Sequence, residues 1–341
     1  MTPMRTTQTR RDFLTTMWLA SAAALLPTRP ALAGEVLETK TVRIAKSPGG
    51  AYGESDCWAP EFLANELLYA EGFTDIRNVD ATPPSSVAVA RGEVDFAMGY
   101  ASVFASAIDA GQPITVLAGV MVGCIEVFAN EDIHTIADLK RKRVGIQNPG
   151  SSAHILLSIM SAEIGLDPVK DIHWISGPSV RPLELFAAGK IDAFLSSPPA
   201  SLDLRARRIG HVILNTTVDR PWSQYFCCML AGNRDYVRNY PMATKRVLRA
   251  ILKAADLCAA EPAGTARRMV EGGFTPRYEY ALQMFNEVSY DKWREYDPED
   301  AMRFYALRMR ETGFIKSSPQ KIIAEGTDWR FLDEVKRELK A

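Results

Sequence analysis

Four short segments rich in glycine, proline and serine each follow a run of apolar, strand-forming residues. They lie at residues 48–52, 99–102, 149–154 and 196–199. In an open α/β sheet, ligands bind beyond the carboxyl ends of the strands, where the unpaired N–H groups of a helix N-terminus attract an anion or a polar oxygen. We therefore predict a small-molecule site at these four junctions. The candidates that the junctions supply directly are Tyr52, Gly99, Tyr100, His154 and Ser197.

Two β-prone stretches, residues 113–130 and 224–230, carry or adjoin the remaining candidates. The first holds Gly123, Cys124 and Glu126, and the second begins beside Trp222 and holds Tyr225. The two aromatic side chains would either stack on a planar ligand or pack in the core. The Glu126 carboxylate would either favour a cationic or hydrogen-bond-donating ligand or form a salt bridge with a nearby arginine.

No pattern of catalytic or metal-binding residues stands out. The histidines at 134, 154, 173 and 211 lack metal-ligand spacing with cysteines or carboxylates, and neither a G-x-S-x-G elbow nor a Walker-type loop occurs. The five cysteines are an odd number, so at least one is unpaired in an oxidising compartment. Adjacent Cys227 and Cys228 would point to opposite faces of a strand, which favours small core residues. The sequence therefore predicts a binding protein with no enzymatic activity, cofactor or metal site.

The elements that would position these segments occur twice along the chain. The first unit has strands over 41–46, 75–79 and 94–98. A helix over 60–71 and a short helix that ends at Gly92 lie between them. The second has strands over 143–147, 171–175 and 191–195, with helices over 153–164 and 182–189. Both units contain a G-x-[VI]-D motif, at residues 92–95 and 189–192. Strands that alternate with crossover helices predict parallel α/β sheets, and two such units predict two similar lobes.

The β-prone stretches are then expected to carry the chain from one lobe to the other and back. We predict lobe one from residues 34–124 and 226–341, and lobe two from residues 125–225 with the hinge crossings. Helices are predicted over 244–260, 276–288, 298–311 and 328–339, several of them beginning with proline after a threonine or aspartate. They should complete lobe one and support the hinge. The predicted fold class is α/β, with two lobes, hinge strands and C-terminal helices.

The first 33 residues have the pattern of a removable export signal. Arg10 and Arg11 form a twin-arginine motif, an apolar run over 17–26 follows, and Ala31 and Ala33 mark cleavage before Gly34. The apolar run is shorter than the roughly 20 residues that span a bilayer. Without this segment the chain has 36 basic and 40 acidic residues, a formal net charge of −4. This balance argues against a nucleic-acid partner.

Several motifs resemble those of one family of binding proteins. They are Pro-Gly-Gly at 48–50, Gly-Glu-Val-Asp-Phe-Ala at 92–97, Gly-Gln-Pro-Ile at 111–114, Ile-Ala-Asp-Leu-Lys at 136–140 before Arg-Val-Gly at 143–145, and Gly-Lys-Ile-Asp-Ala at 189–193. These motifs are similar to those of the nitrate, sulfonate and taurine receptors of ABC transporters, a family that includes receptors for thiamine-pyrimidine precursors. The resemblance extends from residue 41 to about residue 235.

The resemblance implies a type II-like periplasmic binding protein fold and a function. A monomeric receptor, exported to the periplasm by the twin-arginine pathway, would capture a small molecule in an interlobe cleft by hinge closure. It would then deliver this ligand to the membrane permease of an ABC transporter. The resemblance also assigns Gly50, Ala51, Ser151 and Ser152 to the ligand site. An amine-bearing or aromatic heterocyclic ligand fits the sequence at least as well as nitrate or a sulfonate.

Two other functions remain open at the level of sequence. Thiamine-pyrimidine synthases share this fold and carry a cysteine-rich motif, which residues 226–229 resemble only faintly. An exported receptor that serves a sensor instead of a transporter would have the same sequence features.

Overall fold

The computed structural model describes residues 36–46, 59–80, 84–275 and 277–340. The predicted export signal and the candidates Gly50, Ala51 and Tyr52 lie outside these residues, as does Cys57. The strands are β1 (Thr41–Lys46), β2 (Asp75–Asp80), β3 (Phe96–Tyr100), β4 (Ile114–Val122), β5 (Glu126–Ala129), β6 (Arg143–Gly145), β7 (His173–Ile175), β8 (Ala193–Ser196), β9 (His211–Asn215) and β10 (Phe226–Asn233).

Helices of six to twenty residues connect and cover these strands. They are α1 (Ala59–Ala70), α2 (Ser85–Ala90), α3 (Ala101–Asp109), α4 (Ser152–Glu163), α5 (Pro182–Ala187), α6 (Ala200–Arg207), α7 (Arg234–Asn239), α8 (Pro241–Ala260), α9 (Pro262–Glu271), α10 (Tyr278–Glu287), α11 (Pro298–Glu311), α12 (Pro319–Gly326) and α13 (Arg330–Leu339). Short 3₁₀ turns lie at Ile136–Leu139, Trp222–Gln224 and Lys292–Arg294.

The strands form two five-stranded sheets with equivalent strand orders. The first sheet has the order β2-β1-β3-β10-β4, and the second has the order β7-β6-β8-β5-β9. In each sheet one strand arrives from the other half of the chain, β10 or β5, and it runs antiparallel to both neighbours. The predicted α/β class and the predicted repeat of strand, helix, strand, helix and strand are confirmed.

A duplicated ion pair explains the G-x-[VI]-D motif. Asp95 accepts the backbone N–H of Arg43 at 2.7 Å and its guanidinium at 2.5 Å. Asp192 accepts the backbone N–H and the guanidinium of Arg143, both at 2.7 Å. In each copy the arginine also donates to the carbonyl of the motif glycine, Gly92 or Gly189. The motif therefore anchors the start of the third strand of each unit to the first strand.

The C-terminal helices pack on the first sheet. α8 contacts α1 and β4, while α11 and α12 contact α3, and α13 contacts α8. Long apolar side chains of α8, including Val247, Leu248 and Ile251, are fully buried in the same core as β1, β3 and β4. On the second sheet, Phe128, Phe186, Phe194 and Leu204 form a smaller separate cluster.

Two short segments connect the sheets. Residues 123–125 join β4 to β5, and residues 216–225 join β9 to β10. The Thr217 hydroxyl accepts the Cys124 N–H at 3.1 Å, and the Thr216 hydroxyl accepts the Ile125 N–H at 3.0 Å. The second crossing is thus residues 216–225, whereas the predicted stretch 224–230 lies mostly in β10 of the first sheet. Lobe boundaries at residues 124/125 and 225/226 stay a prediction.

Candidate functional site

Helix α4 of the second sheet begins at the third predicted junction. Ser151 is the N-cap residue, and its hydroxyl oxygen accepts the His154 N–H at 3.4 Å. Gly150 has a φ of +80° and donates its N–H to His154 Nδ1 at 3.0 Å. The structure therefore places the predicted residues Ser151, Ser152 and His154 together in the first turn of one helix.

The His154 ring lies between elements of the two sheets. It makes edge contacts with Trp174 of β7, at 4.8 Å between ring centroids, and with Phe314 after α11, at 5.1 Å. Burial lowers the pKa of His154, which favours the neutral imidazole at pH 7. Nδ1 accepts a hydrogen bond, so the ring proton lies on Nε2.

The second junction lies at the end of β3, where α3 begins. Gly99 is buried, and a Cβ there would lie 2.8 Å from the Phe104 ring. Tyr100 is half-buried and is the N-cap residue of α3. Helix α3 contacts α4 of the second sheet, so the second and third junctions belong to neighbouring helices. The Gly99 backbone is closely packed, and Tyr100 is the more accessible of the two candidates.

Glu61 lies buried close to the second junction, and the sequence analysis missed it. Its Oε1 accepts the Met98 N–H at 2.9 Å, and Oε2 has no hydrogen-bond partner among the described residues. Burial raises the pKa of Glu61 well above its usual range, and the Met98 hydrogen bond lowers it by less. A glutamate in the first turn of a helix is ordinarily explained by the helix dipole, so no separate signal in the sequence marks Glu61.

Glu126 forms the salt bridge that the sequence left open as one of two alternatives. Its carboxylate lies 3.7 Å from the Arg205 guanidinium and accepts a hydrogen bond from Asn215 at 3.1 Å. Burial raises the pKa of Glu126 more than the charge of Arg205 lowers it. Gly123 lies in the same crossing with a φ of +89° and packs directly against Thr217.

The predicted aromatic residues pack against Phe304 of α11. Trp222 is buried and contacts the Phe304 ring edge-on at 5.4 Å between centroids. Of the two predicted alternatives, it therefore packs in the core. Tyr225 is half-buried, and its ring stacks on the Phe304 ring at 4.1 Å between centroids. Ser197 is buried directly after β8. Trp222 and Tyr225 are therefore engaged within the protein, and neither lies beside His154 in the contacts described.

Cys227 and Cys228 do not point to opposite faces, so that expectation is wrong. Their sulfur atoms are 3.4 Å apart, and the Cys124 sulfur lies 3.9 Å from that of Cys227. The register of β10 against β4 shifts at Cys228, and this bulge interrupts the regular alternation of side chains. Burial raises the pKa of the Cys227 thiol well above its usual range.

Polar contacts connect helices that cover the first sheet with helices of the second. Arg308 of α11 donates to Glu163 of α4 at 3.1 Å, and Arg205 of α6 pairs with Glu287 of α10 at 2.5 Å. Asp203 of α6 also accepts a hydrogen bond from the Tyr280 hydroxyl at 3.1 Å. These partly exposed pairs are each worth about 0–1 kcal/mol, so they can form and break at low cost.

A family model for the NMT1-like family matches residues 59–271, well over half of the chain. The chain belongs to the NMT1-like family. The matched region contains every predicted site residue from Gly99 to Tyr225, both crossings and most of both sheets. A comparison with curated proteins found no match.

Three of the solved structures similar to this NMT1-like chain are named as binding proteins. The periplasmic nitrate-binding protein NrtA from Synechocystis PCC 6803 has a TM-score of 0.73 at 15% identity, covering 89% of this chain and 90% of its own. The alkanesulfonate-binding protein SsuA from Xanthomonas axonopodis pv. citri, bound to MOPS, has a TM-score of 0.67 at 18% identity, with 86% and 100% coverage. The periplasmic aliphatic sulphonate-binding protein SsuA from Escherichia coli has a TM-score of 0.63 at 19% identity, with 84% and 92% coverage. The likeness confirms the predicted periplasmic binding protein fold.

In this NMT1-like chain the described candidate residues therefore lie at the α4 N-terminus, at the end of β3 and at the buried Glu61 beside β3. Within the described residues, the segments 99–102, 149–154 and 196–199 carry no lysine or arginine, and burial lowers the pKa of His154. No helix in the described part of the chain combines the length and apolar character needed to cross a membrane. The arrangement offers backbone N–H groups and hydroxyls, which are suited to binding.

Proposed function

We propose that this protein is an exported solute receptor that captures a small molecule between its two sheets and delivers it to the permease of an ABC transporter. The observation that carries the proposal is the architecture: two sheets of equivalent strand order, joined by two short adjacent crossings. Such crossings permit one half to rotate against the other. The similar structures are named as periplasmic binding proteins, and this supports binding over the synthase alternative.

The proposed ligand contacts come from both sides of the cleft. The second sheet contributes the N–H groups at the start of α4, with the hydroxyls of Ser151 and Ser152. The first half of the chain contributes Tyr100 and, by the family resemblance, Gly50 and Ala51, with Tyr52 as a further candidate from the same junction. Each side offers only part of the contacts, so closure completes the site and the ligand favours the closed state.

The charge of the described junctions supports a neutral or amine-bearing ligand. Nitrate and sulfonates carry a full negative charge, whereas the described junctions lack a lysine or arginine to pair with it. The Glu61 carboxyl is a buried ionisable group beside the second junction, and it would repel an anion when ionised. We therefore place amines and nitrogen heterocycles ahead of nitrate and sulfonates.

A thermal-shift screen of residues 34–341 against amines, pyrimidines, sulfonates and nitrate tests the proposal. A ligand that binds only the folded state stabilises it by about 2.7 kcal/mol at a hundredfold excess over Kd. We expect at least one amine or heterocycle to raise the melting temperature in a saturable manner, with nitrate and sulfonates smaller in effect. Saturable binding of nitrate or a sulfonate alone would refute the ligand class, and no saturable binding would refute the receptor function.

Gly150→Val, with Gly165→Val as its matched control, tests the position of the site. Both glycines flank α4, at φ +80° and +85°, and an added Cβ at either meets no atom within 4 Å. The two substitutions therefore impose similar backbone strain, about 1–2 kcal/mol. Only position 150 adjoins the proposed ligand, so Gly150→Val should abolish binding while Gly165→Val retains it. Equal affinity in both variants would place the site elsewhere.

We also propose export through the twin-arginine pathway, from the motif at Arg10 and Arg11. Replacing both by lysine should leave the protein in the cytoplasm with residues 1–33 attached. Detection of the processed double variant in the periplasm, by fractionation and mass measurement, would contradict this route.

A further inference from the structure

Three buried cysteines from distant parts of the chain converge beside the crossings. Cys124 lies in the first crossing, while Cys227 and Cys228 are the second and third residues of β10, just after the second crossing. The three sulfur atoms all lie within 4.8 Å of one another. The proposed receptor function does not use this cluster.

The spacing of the sulfurs suits a single metal ion. A metal–thiolate distance of about 2.3 Å places sulfur ligands about 3.8 Å apart in a tetrahedral arrangement and about 4.0 Å apart in a trigonal one. The observed separations are 3.9 Å between Cys124 and Cys227 and 3.4 Å between Cys227 and Cys228. Small side-chain rotations would therefore bring all three sulfurs to one ion.

Two backbone irregularities hold the thiols in this arrangement. Cys124 has a φ of +81°, a left-handed conformation that a residue other than glycine rarely adopts. The bulge at Cys228 turns its sulfur towards that of Cys227, where a regular strand would separate them. Both irregularities are unfavourable locally, and both are located at the residues whose sulfurs meet.

We propose that Cys124, Cys227 and Cys228 form a binding site for one thiophilic d¹⁰ cation, Cu(I) or Zn(II). Thiolate ligands select these ions over hard cations such as Mg²⁺ and Ca²⁺. Binding displaces thiol protons, and the ion joins the first crossing to the start of β10. A loaded protein should therefore be stabilised at the hinge.

Metal competition on the purified chain tests this site. Reduced protein would be titrated anaerobically with Cu(I) against bathocuproine disulfonate, and separately with Zn(II) against nitrilotriacetate, with stoichiometry read by native mass spectrometry. We expect one ion per chain, and the arm with the tighter binding identifies the metal. Cys124→Ser and Cys227→Ser should each weaken binding at least tenfold.

Cys258→Ser is the matched control, because Cys258 is also a buried thiol but lies in α8, outside the cluster. Cys57→Ser controls for the remaining cysteine. Both variants should bind one ion with the affinity of the unmodified chain. X-ray absorption of the loaded unmodified protein should show a first shell of sulfur, a readout that does not depend on how the variants fold.

Any of four results would overturn the proposal, three of them from the metal titrations and spectroscopy. They are absence of competitive binding by the unmodified chain, unchanged affinity in both cluster variants, and a first shell of oxygen or nitrogen. The fourth result is recovery of two of these cysteines as a disulfide, together with no metal binding after the disulfide has been reduced.

Discussion

At the scale of single residues, Asp95 and Asp192 have the same role in different surroundings. Each carboxylate accepts a backbone N–H and a guanidinium, but the Asp95 side chain is 4% exposed and the Asp192 side chain is 14% exposed. Hydrogen bonds to charged groups contribute about 1.5–3 kcal/mol when buried and less when solvent competes. We expect Asp95→Ala to lower the free energy of unfolding by that amount, and Asp192→Ala to lower it by less. Urea unfolding monitored by circular dichroism would measure both, and the reverse order would contradict this account of the motif.

Glu61 leads to a prediction about pH. Burial raises its folded-state pKa, whereas a glutamate in the unfolded chain titrates near about 4.3. Between these two values the folded protein binds more protons than the unfolded chain, so its stability falls as the pH rises. Glu61→Gln removes this loss, and its melting temperature should increasingly exceed that of the unmodified protein from pH 5 to pH 8.

The exposed Glu66 on the same helix provides a control for Glu61. Glu66→Gln removes a carboxyl group from solvent and should leave the melting temperature within about a degree at every pH, since such surface changes are worth about 0.5 kcal/mol or less. A difference between Glu61→Gln and the unmodified protein that stays constant with pH would contradict the proposed burial of this charge.

The partners of the repeated motif and the convergence of the cysteines could not be predicted from the sequence. The G-x-[VI]-D motif was visible twice, but its partners Arg43 and Arg143 lie about 50 positions earlier in the chain, at separations of 52 and 49 residues. The convergence of Cys124 with Cys227 depends on the sheet order and on a bulge. Strand periodicity alone predicted the opposite for Cys227 and Cys228, because it assumes an unbroken alternation.

At the scale of elements, the first crossing is tightly constrained at Gly123. An added Cβ would lie 2.7 Å from Thr217 Cα, and the φ of +89° disfavours any side chain. Gly123→Ala should therefore combine strain of about 1–2 kcal/mol with overpacking of about 1–3 kcal/mol. Gly111→Ala, at φ +73° with no atom within 4 Å of the added Cβ, should show only the strain. Equal melting temperatures for the two variants would mean that the two crossings are not tightly packed.

The elements that the sequence predicted best are those with strong periodicity or clear end signals. Strand β1 and helix α11 match their predicted limits, and the duplicated units were identified in the correct order. Helices α3, α6, α7, α9 and α12 and strand β9 were missed. Short helices such as α7, with six residues, hold less than two turns of apolar spacing, and β9 is only partly buried along its length. Tertiary packing fixes these elements more than their own pattern does.

At the scale of the whole molecule, the described residues connect the two sheets through one shared apolar cluster, through the crossings and through polar pairs. The two crossings are hydrogen-bonded to each other. Partly exposed ion pairs join Arg308 to Glu163 and Arg205 to Glu287. Because each partly exposed pair is worth so little, these pairs would offer little resistance to the proposed closure around a ligand. The family and fold followed from motifs distributed over the sequence, whereas the ligand depends on side chains from separate junctions.

Small-angle X-ray scattering tests the central claim most directly. Scattering from residues 34–341 would be measured without and with a saturating concentration of the best solute from the thermal-shift screen. We expect the solute to reduce the radius of gyration of the unmodified protein and of Gly165→Val, and to leave Gly150→Val unchanged. A radius of gyration that stays constant in the saturated unmodified protein would contradict capture by closure between the two sheets.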